Sequence, residues 1–231
     1  GVATLGDSLM VLDKLVFKGK RYSYADFMKI LDENYENNEA LRSEILHYER
    51  FGNDSENDIY TVMAGKSLID AVDNLEKRDN EYNIPGFYSL ERDNTSCGNI
   101  GATPDGRKAG VPIAHSMTPQ SMAMTKGITA AINSCTSLPF ELFNGGASTM
   151  WDLDTSLAKP EIVSSLIMTF FEQGGQIFQG NMTDVEELKR AMETPDQYRH
   201  LIVRVGGYSS RFVTLHRSLQ EEIINRMRHS C

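Results

Sequence analysis

The alternation of helical and strand-like patterns in the second half of this chain is the feature that most restricts its fold. The segment 159–175 has apolar residues at helical spacing, with Pro160 near its start and a glycine pair just beyond the helical pattern. Short apolar runs such as "HLIVRV" (200–205) lie between the helical segments and fit strands. Such alternation is typical of folds in which helices cross between strands, so we expect an α/β architecture.

The first half of the chain is predicted to be mostly helical. Apolar residues at helical spacing predict helices in 8–17, 23–35, 40–54 and 58–78. Ser23 fits the N-cap position of the second helix, because a serine side chain accepts a hydrogen bond from the first helical turn. The α/β fold is therefore expected to be rich in helix.

Turn and cap signals mark further elements along the chain. The run "IPGFYSL" (84–90) fits a short strand, and "NGGASTMWDLD" (144–154) fits a turn followed by a strand. Capping boxes predict helix starts at Thr183 and Ser218, since each is followed three residues later by a glutamate.

A segment rich in Gly, Pro, Thr, Ser and Asn occupies residues 93–121. It contains the turn signal P-D-G, so we predict a long loop, and long loops in compact domains are often functional. Arg107 and Lys108 follow this turn. They either bind an anion or donate to nearby carbonyl groups, and the sequence leaves both roles open.

Charge and cysteine content exclude several classes of function. The net charge of −9 argues against non-specific nucleic-acid binding, and no apolar run has the length of a membrane span. Cys97, Cys135 and Cys231 lie far apart, without a C-x-x-C pair. We therefore predict packed or idle thiols in a reducing cytoplasm, with no metal site and no bound cofactor. Residue 1 is Gly and not Met, and "GVATLGDSL" (1–9) is typical of the middle of a fold, so we expect a piece of a longer protein.

Two adjacent glycines interrupt a strand-like run in "RVGGYSSRF" (204–212). Local rules favour a bulge or a turn at the end of the strand. A phosphate-binding loop would need a fuller glycine motif and a following helix, and the sequence has neither. A third reading makes one glycine the reactive group. An α-carbon without a side chain can flatten after loss of a hydrogen atom, and the resulting radical is then spread over the flanking amide and carbonyl groups.

The motif "RVGGYSSRF", followed by "LQEEIINR", resembles the signature of the glycyl radical enzymes, a family that includes pyruvate formate-lyase. Two upstream segments, "ATPDGRKAGVPIAHSMTP" and "LVFKGKRYSYADFMKIL", are similar to other parts of that family. The resemblance implies that Gly207 carries a backbone radical and that Gly206 is a variable position. It also implies the C-terminal part of a ten-stranded α/β barrel, with barrel residues in 1–110 and a glycine radical domain in 111–231.

The resemblance further implies how such a radical arises and is used. A separate activating enzyme with S-adenosylmethionine and an iron–sulfur cluster removes one hydrogen atom from Gly207 under anaerobic conditions. The radical then takes a hydrogen atom from an upstream cysteine, and that cysteine attacks a small organic substrate. We expect Gly207 to be buried beside Val205, Tyr208 and Phe212, because carbon radicals react with oxygen.

None of the three cysteines of this chain lies in a context that matches the family's catalytic cysteine. The resemblance therefore implies a missing N-terminal part or subunit, and a homodimer or larger assembly when complete. The alternative is a non-catalytic spare part that replaces a damaged glycine domain.

The reaction is the least determined property. "NGGASTMWDLD" and "GGQIFQGN" depart from common family patterns, and this favours the arylacetate decarboxylases, such as those acting on 4-hydroxyphenylacetate. Fumarate-adding synthases, diol dehydratases and C–N or C–S lyases are the alternatives. Trp151 is expected either to line a pocket or to pack in the core. Asp152 and Asp154 fit either an acid–base pair or solvated and capping roles, and His115 is expected to be structural.

Overall fold

The computed structural model describes residues 1–76, 81–88, 99–120, 123–153, 155 and 159–227. The first half is helical. Its elements are α1 (Val2–Leu12), a π-helical turn (Asp13–Phe17), α2 (Tyr24–Asp32), α3 (Glu39–Leu46) and α4 (Asp58–Asp73). No helix in these described ranges is long and apolar enough to cross a membrane.

The predicted cap and apolar face of α2 are confirmed. The Ser23 side chain accepts a hydrogen bond from the Asp26 amide at 3.1 Å, which satisfies one donor of the first turn. Phe27, Ile30 and Leu31 are buried on one face of the helix. They pack in a hydrophobic cluster with residues of α1 and α3.

α1 and α4 pack closely at Gly6. A Cβ atom at Gly6 would lie 2.5 Å from the Cα of Thr61, so any side chain there would force the two helices apart. The residue type at position 6 therefore sets the distance between the helices, and with it the shape of the helical half.

The predicted long loop is confirmed for residues 99–120, which contain neither helix nor strand. The P-D-G turn is formed as expected. Gly106 has a φ of +87°, a conformation that favours glycine, and its amide donates to the Thr103 carbonyl at 3.1 Å.

The second half alternates helix and strand, as predicted. Its helices are α5 (Gly127–Thr136), α6 (Pro160–Glu172), α7 (Val185–Glu193) and α8 (Arg217–Met227). Its strands are β1 (Ser148–Leu153), β2 (Ile177–Met182), β3 (Ile202–Arg204) and β4 (Ser209–Arg211). β1 and β2 are parallel with α6 between them in sequence, so they form a β–α–β crossover. β3 and β4 form an antiparallel hairpin.

Four local predictions were wrong. α3 ends at Leu46, well before the end of the predicted helix 40–54. α8 begins at Arg217, so Ser218 lies inside its first turn and is not its N-cap. The run 84–90 is not a strand over its described residues; Phe87 makes only an isolated parallel bridge with Ala147. Asp184, and not Thr183, caps α7, because its carboxylate is the group that accepts from the Glu186 amide, at 2.7 Å.

Within the described residues, most of the buried apolar side chains form three clusters. One lies among α1, the π-helical turn, α2 and α3, and a second joins parts of α1 and α4 to α5, α6 and β1. The third, which we call the C-terminal cluster, consists only of residues that follow β2: Leu188, Ala191, Val203, Val205, Phe212, Ile223 and Ile224. The hairpin therefore packs on a small core of its own.

Candidate active site

The motif "RVGGYSSRF" folds as the β3–β4 hairpin. The turn is closed by a hydrogen bond from the Val205 amide to the Tyr208 carbonyl, at 2.9 Å, with Gly206 and Gly207 between them. The local prediction of a turn at the end of the strand is thus confirmed. A strand and not a helix follows the glycines, so the geometry of a phosphate-binding loop is absent from this hairpin.

The two ends of the turn differ in burial. Val205 and Phe212 are completely buried in the C-terminal cluster, and Gly206 is buried as well. Gly207 is exposed, and Tyr208 is 46% exposed. The expectation that Gly207 and Tyr208 would be enclosed is therefore wrong for this chain. The hairpin directs its apolar side chains into the C-terminal cluster, and this leaves the tip pointing outward.

Three polar residues of the parallel sheet hold the start of the hairpin. The Asn181 side chain accepts from the Arg204 amide and donates to the Arg204 carbonyl at 2.9 Å. The Arg204 side chain donates to Gln179 at 3.0 Å, and Asp152 accepts from the Asn181 side chain at 2.7 Å. The first residue of the motif is thus fixed to β2 through both its main chain and its side chain.

The end of the long loop lies beneath the hairpin. His115 donates from Nε2 to Glu222 of α8 at 2.6 Å, because a carboxylate can only accept, and both side chains are mostly buried. The Thr118 hydroxyl accepts from the Met150 amide at 2.7 Å and joins the loop to β1. The structural role predicted for His115 is confirmed: it ties the loop to the C-terminal helix.

A small polar cavity separates the loop from the hairpin. Its volume is ≈ 10 Å³, close to the smallest space that holds one water molecule. Its lining includes His115, Thr118, Ser148, Gln179 and Gly206. The buried glycine of the pair therefore faces the loop and the strands, whereas its neighbour Gly207 faces outward.

The other end of the loop is structural. Arg107 is only 4% exposed and donates to the carbonyls of Gly101, Lys108 and Val111. Lys108 forms an ion pair with Glu39. Of the two roles that the sequence left open, the structure supports donation to local groups and not anion binding.

Cys135 is a packed thiol, as predicted. It is completely buried in the core, its Sγ contacts the Met117 carbonyl at 3.4 Å, and burial raises the pKa of the thiol well above its usual value. A thiol in this state is a poor nucleophile and has no access to a substrate. Cys97 and Cys231 lie outside the described residues, as does Asp154.

Trp151 packs in the core. It is 1% exposed, stacks on Phe178 with ring centroids 6.1 Å apart, and donates from Nε1 to the Thr149 hydroxyl at 2.8 Å. Of the two roles expected for this residue, core packing is the correct one.

The supporting residues of the hairpin were not found from the sequence. Asp152 was noted, but a solvated or capping role is wrong, since it is 3% exposed and bonded to Asn181. Gln179 and Asn181 do not stand out in the sequence. The signal that could have found them is their spacing of two residues, because it places two polar side chains on the same face of a short strand.

Two family models match the chain. A model described as "Glycine radical" matches residues 113–213, and one described as "Pyruvate formate lyase-like" matches residues 1–94. The first match includes the hairpin together with the loop beneath it. The second includes α1 to α4. The domain boundary between residues 110 and 111 stays a prediction.

Characterised proteins resemble almost the whole chain. It is 31% identical to trans-4-hydroxy-L-proline dehydratase of Clostridioides difficile over 236 residues, covering 98% of this chain and 29% of the relative. It is 27% identical to indoleacetate decarboxylase of Tractidigestivibacter scatoligenes over 256 residues, with coverages of 98% and 29%.

A solved structure has the same fold. The glycerol-bound B12-independent glycerol dehydratase from Clostridium butyricum superposes with a TM-score of 0.91 at 31% identity, covering 98% of this chain and 30% of that one. The chain therefore spans less than a third of each of these three proteins.

Proposed function

The chain belongs to the glycyl radical enzymes, and we propose from this that it is the radical-storing part of such an enzyme, with Gly207 as the radical site. The observation that carries the proposal is the hairpin: every position of "RVGGYSSRF" agrees with the family signature, and the structure places its second glycine at an accessible tip. The "Glycine radical" model spans the same residues.

The chemistry proposed for Gly207 needs no side chain and no bound group. One C–H bond of the Gly207 α-carbon breaks homolytically, and the hydrogen atom passes to the S-adenosylmethionine-dependent activating enzyme. The remaining unpaired electron is shared between the flanking amide and carbonyl groups. Transfer of a hydrogen atom from a cysteine S–H to this carbon restores the glycine and leaves a sulfur radical that acts on the substrate.

The first of these steps requires an exposed Gly207, and Gly207 is exposed in this chain, which spans less than a third of its relatives' length. A separate enzyme can reach the α-carbon only if the tip is accessible, and Val205 and Phe212 hold the hairpin in place from below. For storage of the radical, the same tip has to be covered against oxygen. We propose that Gly207 is covered by a further part of the enzyme, which corresponds to the portion of the relatives that this chain does not match.

The hydrogen donor is proposed to lie in that same portion. Cys135 is enclosed in the core and belongs to a different part of the fold from the hairpin. We therefore propose that this chain acts together with a part or subunit that carries the catalytic cysteine. A spare part that replaces a damaged glycine domain is the alternative, and in that case the chain would complement an enzyme cut within its own domain.

The reaction proposed is that of a lyase on a small organic molecule, and decarboxylation of an arylacetate is the specific candidate. Similarity to indoleacetate decarboxylase supports it. The burial of Trp151 in the core removes one of the two sequence features that favoured it.

Dehydration is the second candidate. It is favoured by the 31% identity to a dehydratase and by the superposition on a glycerol dehydratase. Supplying the activated enzyme with 4-hydroxyphenylacetate or with a vicinal diol separates the two, because only decarboxylation releases CO2 and only dehydration yields an aldehyde.

Electron paramagnetic resonance after anaerobic activation tests the radical site. We expect a doublet signal from the unchanged chain, since one α-hydrogen of the glycine remains to split it, and no such signal from Gly207→Ala. The matched control is Gly206→Ala, which removes the neighbouring glycine and should keep the doublet. A doublet that persists in Gly207→Ala would exclude Gly207 as the radical site.

A further inference from the structure

The Asn181 side chain bonds to the main chain of Arg204 in the way that a neighbouring β-strand would. One carboxamide accepts from the Arg204 amide and donates to the carbonyl of the same residue. In a β-ladder, those two main-chain groups would be bonded by a neighbouring strand. Asn181 is 6% exposed and Arg204 is partly buried, so these bonds are partly shielded from water, where losing them costs more than at the surface.

The hairpin ladder explains why Arg204 needs such a partner. The Val205 amide bonds to Tyr208, and the Phe212 amide bonds to Leu201. Bonded positions alternate along an antiparallel pair, so the main-chain groups of Arg204 point away from β4 and toward β2. Asn181 is the residue that meets them there. Without it, the partly buried amide and carbonyl of Arg204 would lose these bonds.

Asp152 fixes which way the Asn181 carboxamide faces. Its Oδ1 accepts from the Asn181 side chain at 2.7 Å and from the Asn181 main-chain amide at 3.1 Å. The two residues are register partners on β1 and β2. A carboxylate oxygen accepts only, so the NH2 group of Asn181 must face Asp152, and its oxygen is left for the Arg204 amide.

Resting on the proposed function, we propose that Asn181, oriented by Asp152, is a positioning residue for Gly207. Gly207 has no side chain, lies at an exposed tip, and follows Arg204 by three residues. Its location is therefore set by where the hairpin begins. Transfer of a hydrogen atom needs reacting atoms within about 3–3.5 Å, and a displacement of about 1 Å can cost roughly a hundredfold in rate.

Hydrogen exchange on the 231-residue chain tests the holding role without any radical. Asn181→Leu removes both bonds to Arg204, and residues 201–212 should then exchange about tenfold faster, as expected for local opening. Asn181→Ser is the second variant, in case the leucine prevents folding. The matched control is Gln176→Leu, because the Gln176 carboxamide also joins two main-chain groups, Ala147 N and Phe140 O, away from the hairpin.

The positioning role is tested in the activated enzyme that also contains the part with the catalytic cysteine. The measured quantity is the amount of product formed per unpaired electron. Asn181→Leu should lower this ratio by about tenfold or more, whereas Gln176→Leu should leave it unchanged. The exchanged pair Asp152→Asn with Asn181→Asp keeps the link between β1 and β2 and an acceptor for the Arg204 amide. A carboxylate cannot donate to the Arg204 carbonyl, so the exchanged pair should recover part of the loss and not all of it.

The outcomes separate the two proposals. Equal exchange rates at 201–212 in Asn181→Leu and Gln176→Leu would overturn the role of Asn181. An unchanged product-to-spin ratio in Asn181→Leu would overturn it too. If the unchanged enzyme gave no radical at all, the proposed function would fail, and the exchange experiment would still decide whether Asn181 holds the hairpin.

Discussion

At the residue scale, Gly180 allows β1 and β2 to pair beside a buried tryptophan. A Cβ atom on Gly180 would lie 2.1 Å from the carbonyl oxygen of Trp151, its register partner. That oxygen belongs to the main chain and cannot move aside cheaply. The small residue in "IFQGN" therefore has a structural reason.

Gly180→Ala should consequently destabilise the chain. We expect a loss of about 1–3 kcal/mol in the free energy of unfolding, the usual cost of inserting a group into a packed region. Urea denaturation measures it. Gly101→Ala is the control, because a Cβ there meets nothing within 4 Å, and it should be close to neutral. Equal stability of the two variants would contradict this reading of position 180.

Asp7 gives the chain a pH-dependent stability. Burial raises the pKa of this carboxyl group from 3.8 to about 7, and the Phe51 amide, which donates to Oδ1 at 2.8 Å, opposes the shift. At a pH between these two pKa values, the Asp7 carboxylate therefore binds a proton when the chain folds. The stability that this group contributes is fully present below about pH 4 and is lost as the pH rises through about 7.

Asp7→Asn should remove that part of the pH dependence, because asparagine keeps an acceptor for Phe51 and does not titrate. The free energy of unfolding, measured by urea denaturation from pH 5 to pH 8, should fall more steeply in the unchanged chain. The difference should be on the order of 1–4 kcal/mol, since one pKa unit is worth ~1.4 kcal/mol. Parallel curves for the two proteins would show that Asp7 does not titrate in this range.

At the element scale, the hydrogen bond between His115 and Glu222 links the long loop to α8. Glu222→Gln weakens this mostly buried pair and should cost about 1–2 kcal/mol of stability. Glu221→Gln is the matched control: it lies on the same helix in an exposed pair with Arg217, worth about 0.3 kcal/mol. Thermal unfolding of both variants measures the difference. A larger loss in Glu221→Gln would contradict the linking role.

Helices of this chain could be predicted well from the sequence, whereas the site could be predicted only in outline. The helix signals of α2 and α6 are local: the Ser23 cap, the Pro160 start and a repeating apolar face. The bonds joining Asp152, Asn181 and Arg204 depend on strands brought together by the fold, which no local pattern encodes. Sequence reasoning therefore found the glycine pair and missed the residues that hold it.

At the scale of the whole molecule, the predicted helix-rich α/β fold of the glycyl radical enzyme barrel is confirmed by the superposition at a TM-score of 0.91. The exposure of Gly207 could not be foreseen in the same way. The sequence motif predicts what chemistry the residue suits, but the exposure of Gly207 depends on how the hairpin packs on the C-terminal cluster.

Oxygen should cut the activated chain at Gly207. We expect denaturing mass spectrometry to show a fragment that begins near residue 208. Native mass spectrometry should show the two pieces still together, because Phe212, Ile223 and Ile224 on one side of the cut pack with Leu188 and Val203 on the other. Gly207→Ala, treated in the same way, should stay intact. Cleavage at another residue, or in the alanine variant, would contradict the assignment.

The C-terminal cluster also bears on how the protein is made. All of its buried residues fall within one continuous stretch, 188–224, so its contacts close short loops and cost little entropy to form. Segments with such local contacts fold quickly. During synthesis, the ribosome completes this stretch only after the upstream helices have emerged, and it can then fold on itself without rearranging them. The part of the chain that bears the proposed radical glycine therefore needs little time to reach its final shape.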